Sequence, residues 1–90
     1  MKYPKEYLDE IKTRLKVSTV VSKSVNLKKR GKEFVGLSPF KTEKTPSFTV
    51  NDEKGFYHCF STAEHGNIFD FIMQTQNLKF GEAVKYLANL

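Results

Sequence analysis

Two tight turns, Ser38-Pro39-Phe40-Lys41 and Cys59-Phe60-Ser61-Thr62, bracket a run with the layout of a β-hairpin, and Gly66-Asn67 then leads into a helix. Structural zinc knuckles use this plan, each turn offering two Cys or His ligands with two residues between them. The stretch Ser38–Asn67 therefore constrains the fold more than any other. Of its four ligand positions, Ser38, Lys41, Cys59 and Thr62, only Cys59 carries a ligand side chain. Serine and threonine hydroxyls are poor zinc ligands at neutral pH, and a lysine ammonium repels the ion. A substitute site from Cys59, His58, His65 and Glu64 lacks a second short-spaced pair, and alternation along a strand turns His58 away from Cys59. The reading is a knuckle without its zinc, its turns held by hydrogen bonds from Ser38 and Thr62 and by packing of Phe40 and Phe60.

The remaining sequence supplies helices and one more hairpin. Tyr3-Pro4-Lys5-Glu6 reads as a helix start, with Pro4 at the first helical position and Glu6, Asp9 and Glu10 favouring the positive end of the dipole. Leu8, Ile11 and Leu15 form its apolar stripe. Val17, Val20 and Val21 continue a helical spacing for a turn or two. From Ser24 the period changes to two: Val25 and Leu27 alternate with Asn26 and Lys28, and Phe34, Val35 and Leu37 follow a turn at Gly31. This predicts two strands with Lys28, Lys29, Arg30 and Lys32 at the turn. Ser47–Val50 and Phe56–Phe60 read as two further strands, joined through Gly55. Asn67 is a suitable N-cap with Asp70 three residues on, Asn77 a C-terminal breaker, and residues 81–90 a last helix. The fold class is α+β: a small antiparallel sheet of zinc-ribbon type flanked by N- and C-terminal helices, as a single domain over 1–90. The abrupt end in that last helix suggests an N-terminal domain excised from a longer chain.

At the knuckle the chain resembles the N-terminal zinc-binding (CHC2-like) domain of bacterial DnaG-type DNA primases. That family carries a C-P-F-H turn, an E-K-T-P-S-F element, then F-Y-H-C-F-x-C and a G-N/D step into a helix. The matching residues here are Pro39-Phe40, Glu43-Lys44-Thr45-Pro46-Ser47-Phe48, Phe56-Tyr57-His58-Cys59-Phe60 and His65-Gly66-Asn67. The likeness runs from the first helix, through Val25-Asn26-Leu27-Lys28-Lys29, to the last. It departs where Ser38, Lys41 and Thr62 replace Cys, His and Cys. The resemblance implies a domain that helps recognise the template initiation site and assists initiation and length control of RNA primers. Those primers are made by a separate polymerase domain, acting in cis or in trans and using Mg²⁺. Partners implied are single-stranded template, that polymerase domain and the replicative helicase. No acidic cluster here marks a catalytic metal site, so the domain alone is not expected to polymerise.

Charge and composition agree with a nucleic-acid partner. The net charge is +5, and residues 23–54 hold eight basic and four acidic side chains. A basic block interleaved with aromatics suits a single strand, neutralising phosphates and stacking bases. Lys28, Arg30, Lys32 and Lys44, with Lys54 and Lys41 behind them, are the candidates for phosphate. Phe48, Phe56, Tyr57 and His58 are the candidates for bases, each weighed against an ordinary role in the core. The single Cys59 excludes an internal disulfide and points to a reducing cytoplasm. No apolar run is long enough to span a membrane, and MKYPKEYLDEIK is too charged for a signal peptide. The competing reading is a docking module for the polymerase domain or helicase with little DNA affinity of its own.

Overall fold

The computed structural model describes residues 3–90. Its elements are α1 (Lys5–Arg14), α2 (Val17–Val21), β1 (Lys28–Arg30), β2 (Glu33–Gly36), β3 (Phe48–Asn51), β4 (Phe56–Cys59), β5 (His65–Gly66), α3 (Ile68–Gln76) and α4 (Phe80–Ala88). The strands form one antiparallel meander in the order β1-β2-β3-β4-β5. No described helix is long and apolar enough to cross a membrane.

Strand alternation sorts the sheet into two faces. The row Lys29–Phe34–Val50–Tyr57–Gly66 and the row Gly36–Phe48–Cys59 share the inner face. There Phe48, Val50, Tyr57 and Cys59 are buried together with Ile68, Phe69, Phe71 and Ile72 of α3 and Val17, Val20 and Val21 of α2. Phe48, Tyr57 and Phe71 form a ring cluster with centroids 5.4–6.1 Å apart, and Phe40 packs on it from the first turn. The outer row, Lys28–Val35–Thr49–His58–His65, crosses all five strands.

Two sequence expectations shift. The first hairpin begins later than the alternation from Ser24 implies, so Lys28, Lys29 and Arg30 are strand β1 itself, and the turn is Gly31-Lys32. Gly31 has φ +63°, the left-handed region that a two-residue hairpin loop requires. An all-basic edge strand also resists pairing with another sheet. The fifth strand, β5, is absent from the sequence reading because two residues show no periodicity. Smaller differences are that Pro4 caps α1 rather than opening it, and α4 starts at Phe80.

The step into α3 follows the sequence closely. The Asn67 side chain accepts from the N–H groups of Phe69 and Asp70 at 2.9 and 3.1 Å, and the Asp70 carboxylate accepts from Asn67 N–H at 2.9 Å. Reciprocal bonds of this kind satisfy the exposed donors of the helix start. Only glycine fits before them: a Cβ on Gly66 would lie 2.5 Å from Asp70 Cβ. Asn77 ends the helix in the left-handed conformation, φ 54°.

Candidate nucleic-acid face and the knuckle beneath it

The outer face gathers most of the residues singled out from sequence. Lys28 and Arg30 share it, while Lys29 turns to the inner side and its ammonium lies 5.7 Å from the Phe34 ring centre. Phe56 and His58 project outward from β4, and Phe56 is 43% exposed. Lys44, in the loop before β3, lines a groove with Lys28, Val35 and Pro46. Lys54, in the β3–β4 turn, lines a second groove with Lys12, Lys16, Phe56 and His65. Lys32 sits in the β1–β2 turn. The face thus carries Lys28 and Arg30 on the β1 edge and aromatic rings on β4 and β5, with Lys54 in the β3–β4 turn beside Phe56 and Asp52.

Phe48 and Tyr57 do not belong to it. Both are completely buried on the inner face, so neither can stack on a base without opening the core. The Tyr57 hydroxyl donates to Gln74 Oε1 at 2.7 Å, and burial, with the nearby charges of Asp70 and Glu64, raises the phenol above its ordinary range. Sequence reasoning gave both faces of β4 equal weight because both are aromatic. The helices decide between them.

Three outer-face residues were missed. His65 stands opposite His58 across the β4–β5 pair, with ring centres 6.1 Å apart, and its Nδ1 lies 3.2 Å from the Ala63 carbonyl oxygen. The alternation carrying His58 outward predicts its cross-strand neighbour, but only once β5 is known. Thr49 and Val35 complete the row. Phe60, expected to pack between the turns, is instead 68% exposed and meets His58 edge-on at 4.3 Å.

Beneath the face, the two knuckle turns meet at Cys59. Its sulfur lies 3.2 Å from Ser38 Oγ and 3.3 Å from Ser61 Oγ. Burial pushes the thiol pKa up, while hydrogen bonds with the Ser38, Ser61 and Thr62 side chains and the Thr62 backbone pull it down to about 6. Ser38 Oγ also accepts from Phe40 N–H at 3.0 Å, fixing the first turn. The residue that sequence reasoning overlooked here is Glu43. Its carboxylate accepts from Ser38 N–H at 2.8 Å, Ser47 N–H at 3.2 Å, Ser47 Oγ at 2.7 Å and Ser61 Oγ at 3.0 Å.

These residues do not fit a tetrahedral zinc. One thiol, two hydroxyls and an ammonium stand at the ligand positions, and Lys41 is exposed. Among the described residues, no group of three or more His, Cys, Asp or Glu side chains is placed to hold a metal ion. His58 lies on the opposite face of β4 from Cys59.

The Glu43 bonds have a pH signature. They hold its carboxyl below the ordinary value of 4.5, the Ser38 N–H contributing most. A depressed carboxyl stabilises the fold above its unfolded pKa and loses that contribution as pH falls through the folded one. Glu43→Gln should therefore melt below wild type at pH 7, with the gap narrowing as pH drops below 4.5. Circular-dichroism melts from pH 7 to 3 check this, and a gap independent of pH would contradict it.

Comparison with known proteins places the fold. Residues 3–90 match the CHC2 zinc finger family. The chain is similar to the DNA primase of Escherichia coli strain K12, 46% identical over 85 residues, covering 94% of this chain and 15% of that protein. It is likewise 42% identical over 86 residues to the DNA primase of Neisseria meningitidis serogroup A, covering 96% and 15%. It is 40% identical over 87 residues to that of Listeria monocytogenes, covering 97% and 14%. The chain thus spans about 15% of the length of these relatives. The crystal structure of the Aquifex aeolicus primase, comprising its zinc binding and RNA polymerase domains, superposes with a TM-score of 0.86 at 29% identity, over 92% of this chain and 21% of that one. By sequence over almost its whole length and by the arrangement of its strands and helices, the chain belongs to the CHC2 zinc finger family.

Proposed function

We propose that the domain binds single-stranded template DNA on the outer face of its sheet, as the N-terminal template-recognition module of a bacterial primase. In that role it assists the initiation and length control of primers made by a polymerase domain elsewhere in the enzyme. The observation that carries the reading is the outer face itself. Lys28 and Arg30 stand on edge strand β1, Phe56 and His58 on β4 and His65 on β5 at the other edge, with Lys54 in the β3–β4 turn next to Phe56. A strand laid across the row would meet cations for its phosphates and rings for its bases, which is how sequence-tolerant single-strand surfaces work. The similar proteins are DNA primases, and the Aquifex aeolicus primase joins its zinc binding domain to an RNA polymerase domain, which supports the same assignment.

The test is fluorescence anisotropy with short labelled single strands over a range of salt. With about three to five phosphates neutralised, log affinity should fall against log salt with a slope of about −2 to −3.5. A flat dependence, or tight binding to the isolated polymerase domain without measurable DNA affinity, would favour a docking module instead.

A further inference from the structure

We infer that the two turns of the knuckle are closed by the Glu43 carboxylate and its ring of donors, so that this domain folds without zinc. A structural ion does two things in such a site: it ties the turns together, and it neutralises the groups that converge there. Glu43 performs the first. It comes from neither turn, but from the loop between the first turn and β3. It reaches back to Ser38 N–H of the first turn, sideways to Ser47 at the foot of β3, and across to Ser61 Oγ of the second turn. The contact between Cys59 Sγ and Ser38 Oγ at 3.2 Å makes a second link between the same turns.

The acceptor capacity of Glu43 is already filled. An ionised carboxylate has about four acceptor sites. Two backbone N–H groups and the hydroxyls of Ser47 and Ser61 occupy them. Glu43 could ligate a cation only by releasing donors such as the Ser38 N–H, whose described acceptor is this carboxylate. No buried side-chain nitrogen or oxygen among the described residues is left without a hydrogen-bond partner. The convergent groups differ too: Lys41 stays in solvent, and serine hydroxyls meet the Cys59 sulfur and one carboxylate. With three ligands replaced, the Glu43 bonds, made from an element that the zinc-carrying pattern shares, and the contact between Cys59 and Ser38 are what hold the turns. Chelators, which dismantle thiolate zinc sites, would then have no purchase on the fold.

The experiment is independent of DNA binding, so its failure leaves the nucleic-acid reading standing, and the reverse also holds. The purified 90-residue chain is assayed for zinc by mass spectrometry and melted with and without a strong chelator. We expect far less than one zinc per chain and an unchanged melting midpoint. Glu43→Gln, which can keep an oxygen on the Ser38 and Ser47 N–H groups but loses the charge that strengthens every bond of the ring, should lower the midpoint without altering metal content. The combined Ser38→Cys, Lys41→His and Thr62→Cys variant should take up one zinc per chain and become chelator-sensitive. Stoichiometric zinc in the wild type with a midpoint that falls on chelation would overturn the proposal. So would a Glu43→Gln midpoint equal to that of the wild type.

Discussion

Phe48→Ala is expected to lower the melting midpoint by more than about 12 °C, whereas Phe56→Ala leaves it almost unmoved and weakens single-strand binding. Phe48 is completely buried, with Phe40, Tyr57 and Phe71 around it at ring-centre distances of 5.4–6.1 Å. Emptying such a site costs about 3–5 kcal/mol, and in a domain of this size each kcal/mol shifts the midpoint by roughly 4–8 °C. That is a large share of a total stability of about 5–15 kcal/mol. Phe56 is 43% exposed on the outer face. Its removal touches little of the core, so stability should change by only about 0.5 kcal/mol. A lost base stack is worth about 1–3 kcal/mol, or roughly 5- to 150-fold in affinity. Thermal melts and anisotropy on the two variants separate the roles. If Phe48→Ala melted like wild type, or Phe56→Ala bound DNA like wild type, the assignment of faces would be wrong.

Charge reversal of Lys28 and Arg30 together should reduce single-strand affinity at least tenfold and flatten the salt slope by about 1.4, two phosphate contacts being lost at about 0.7 each. Both side chains are exposed on edge strand β1, so the fold should survive. The control is Lys79→Glu with Lys85→Glu, which changes net charge equally at helix α4, away from the outer face. That pair should alter affinity far less. Equal losses from the two pairs would mean that net charge alone attracts DNA and that the sheet presents no defined path.

Much of this was legible from the residues. The change from helical spacing to alternation marked the sheet, Asn67 with Asp70 announced α3, and the missing ligands at Ser38, Lys41 and Thr62 posed the metal question. What stayed hidden depended on contacts between distant positions. The aromatic content of Phe56-Tyr57-His58 is the same seen from either side, and only the packing of α3 shows which rings are core. Strand β5 is two residues long and exists because β4 offers it an edge. Glu43 stood out only as part of the Glu43–Phe48 match, with no role of its own in that pattern. Its role follows from where Ser38, Ser47 and Ser61 arrive in space, which no local pattern encodes. The basic cluster was found, but its division between faces needed the register of β1 against β2.

If a CHC2-type sheet keeps its template-binding face while its knuckle is held by the Glu43 carboxylate and no ion, DNA binding should be indifferent to metal. The most direct measurement titrates a labelled single strand with the domain before and after exhaustive metal chelation, over a salt series. The same affinity is expected in both preparations, with a slope of about −2 to −3.5 in each. Binding that disappears with the metal and returns with added zinc would contradict it.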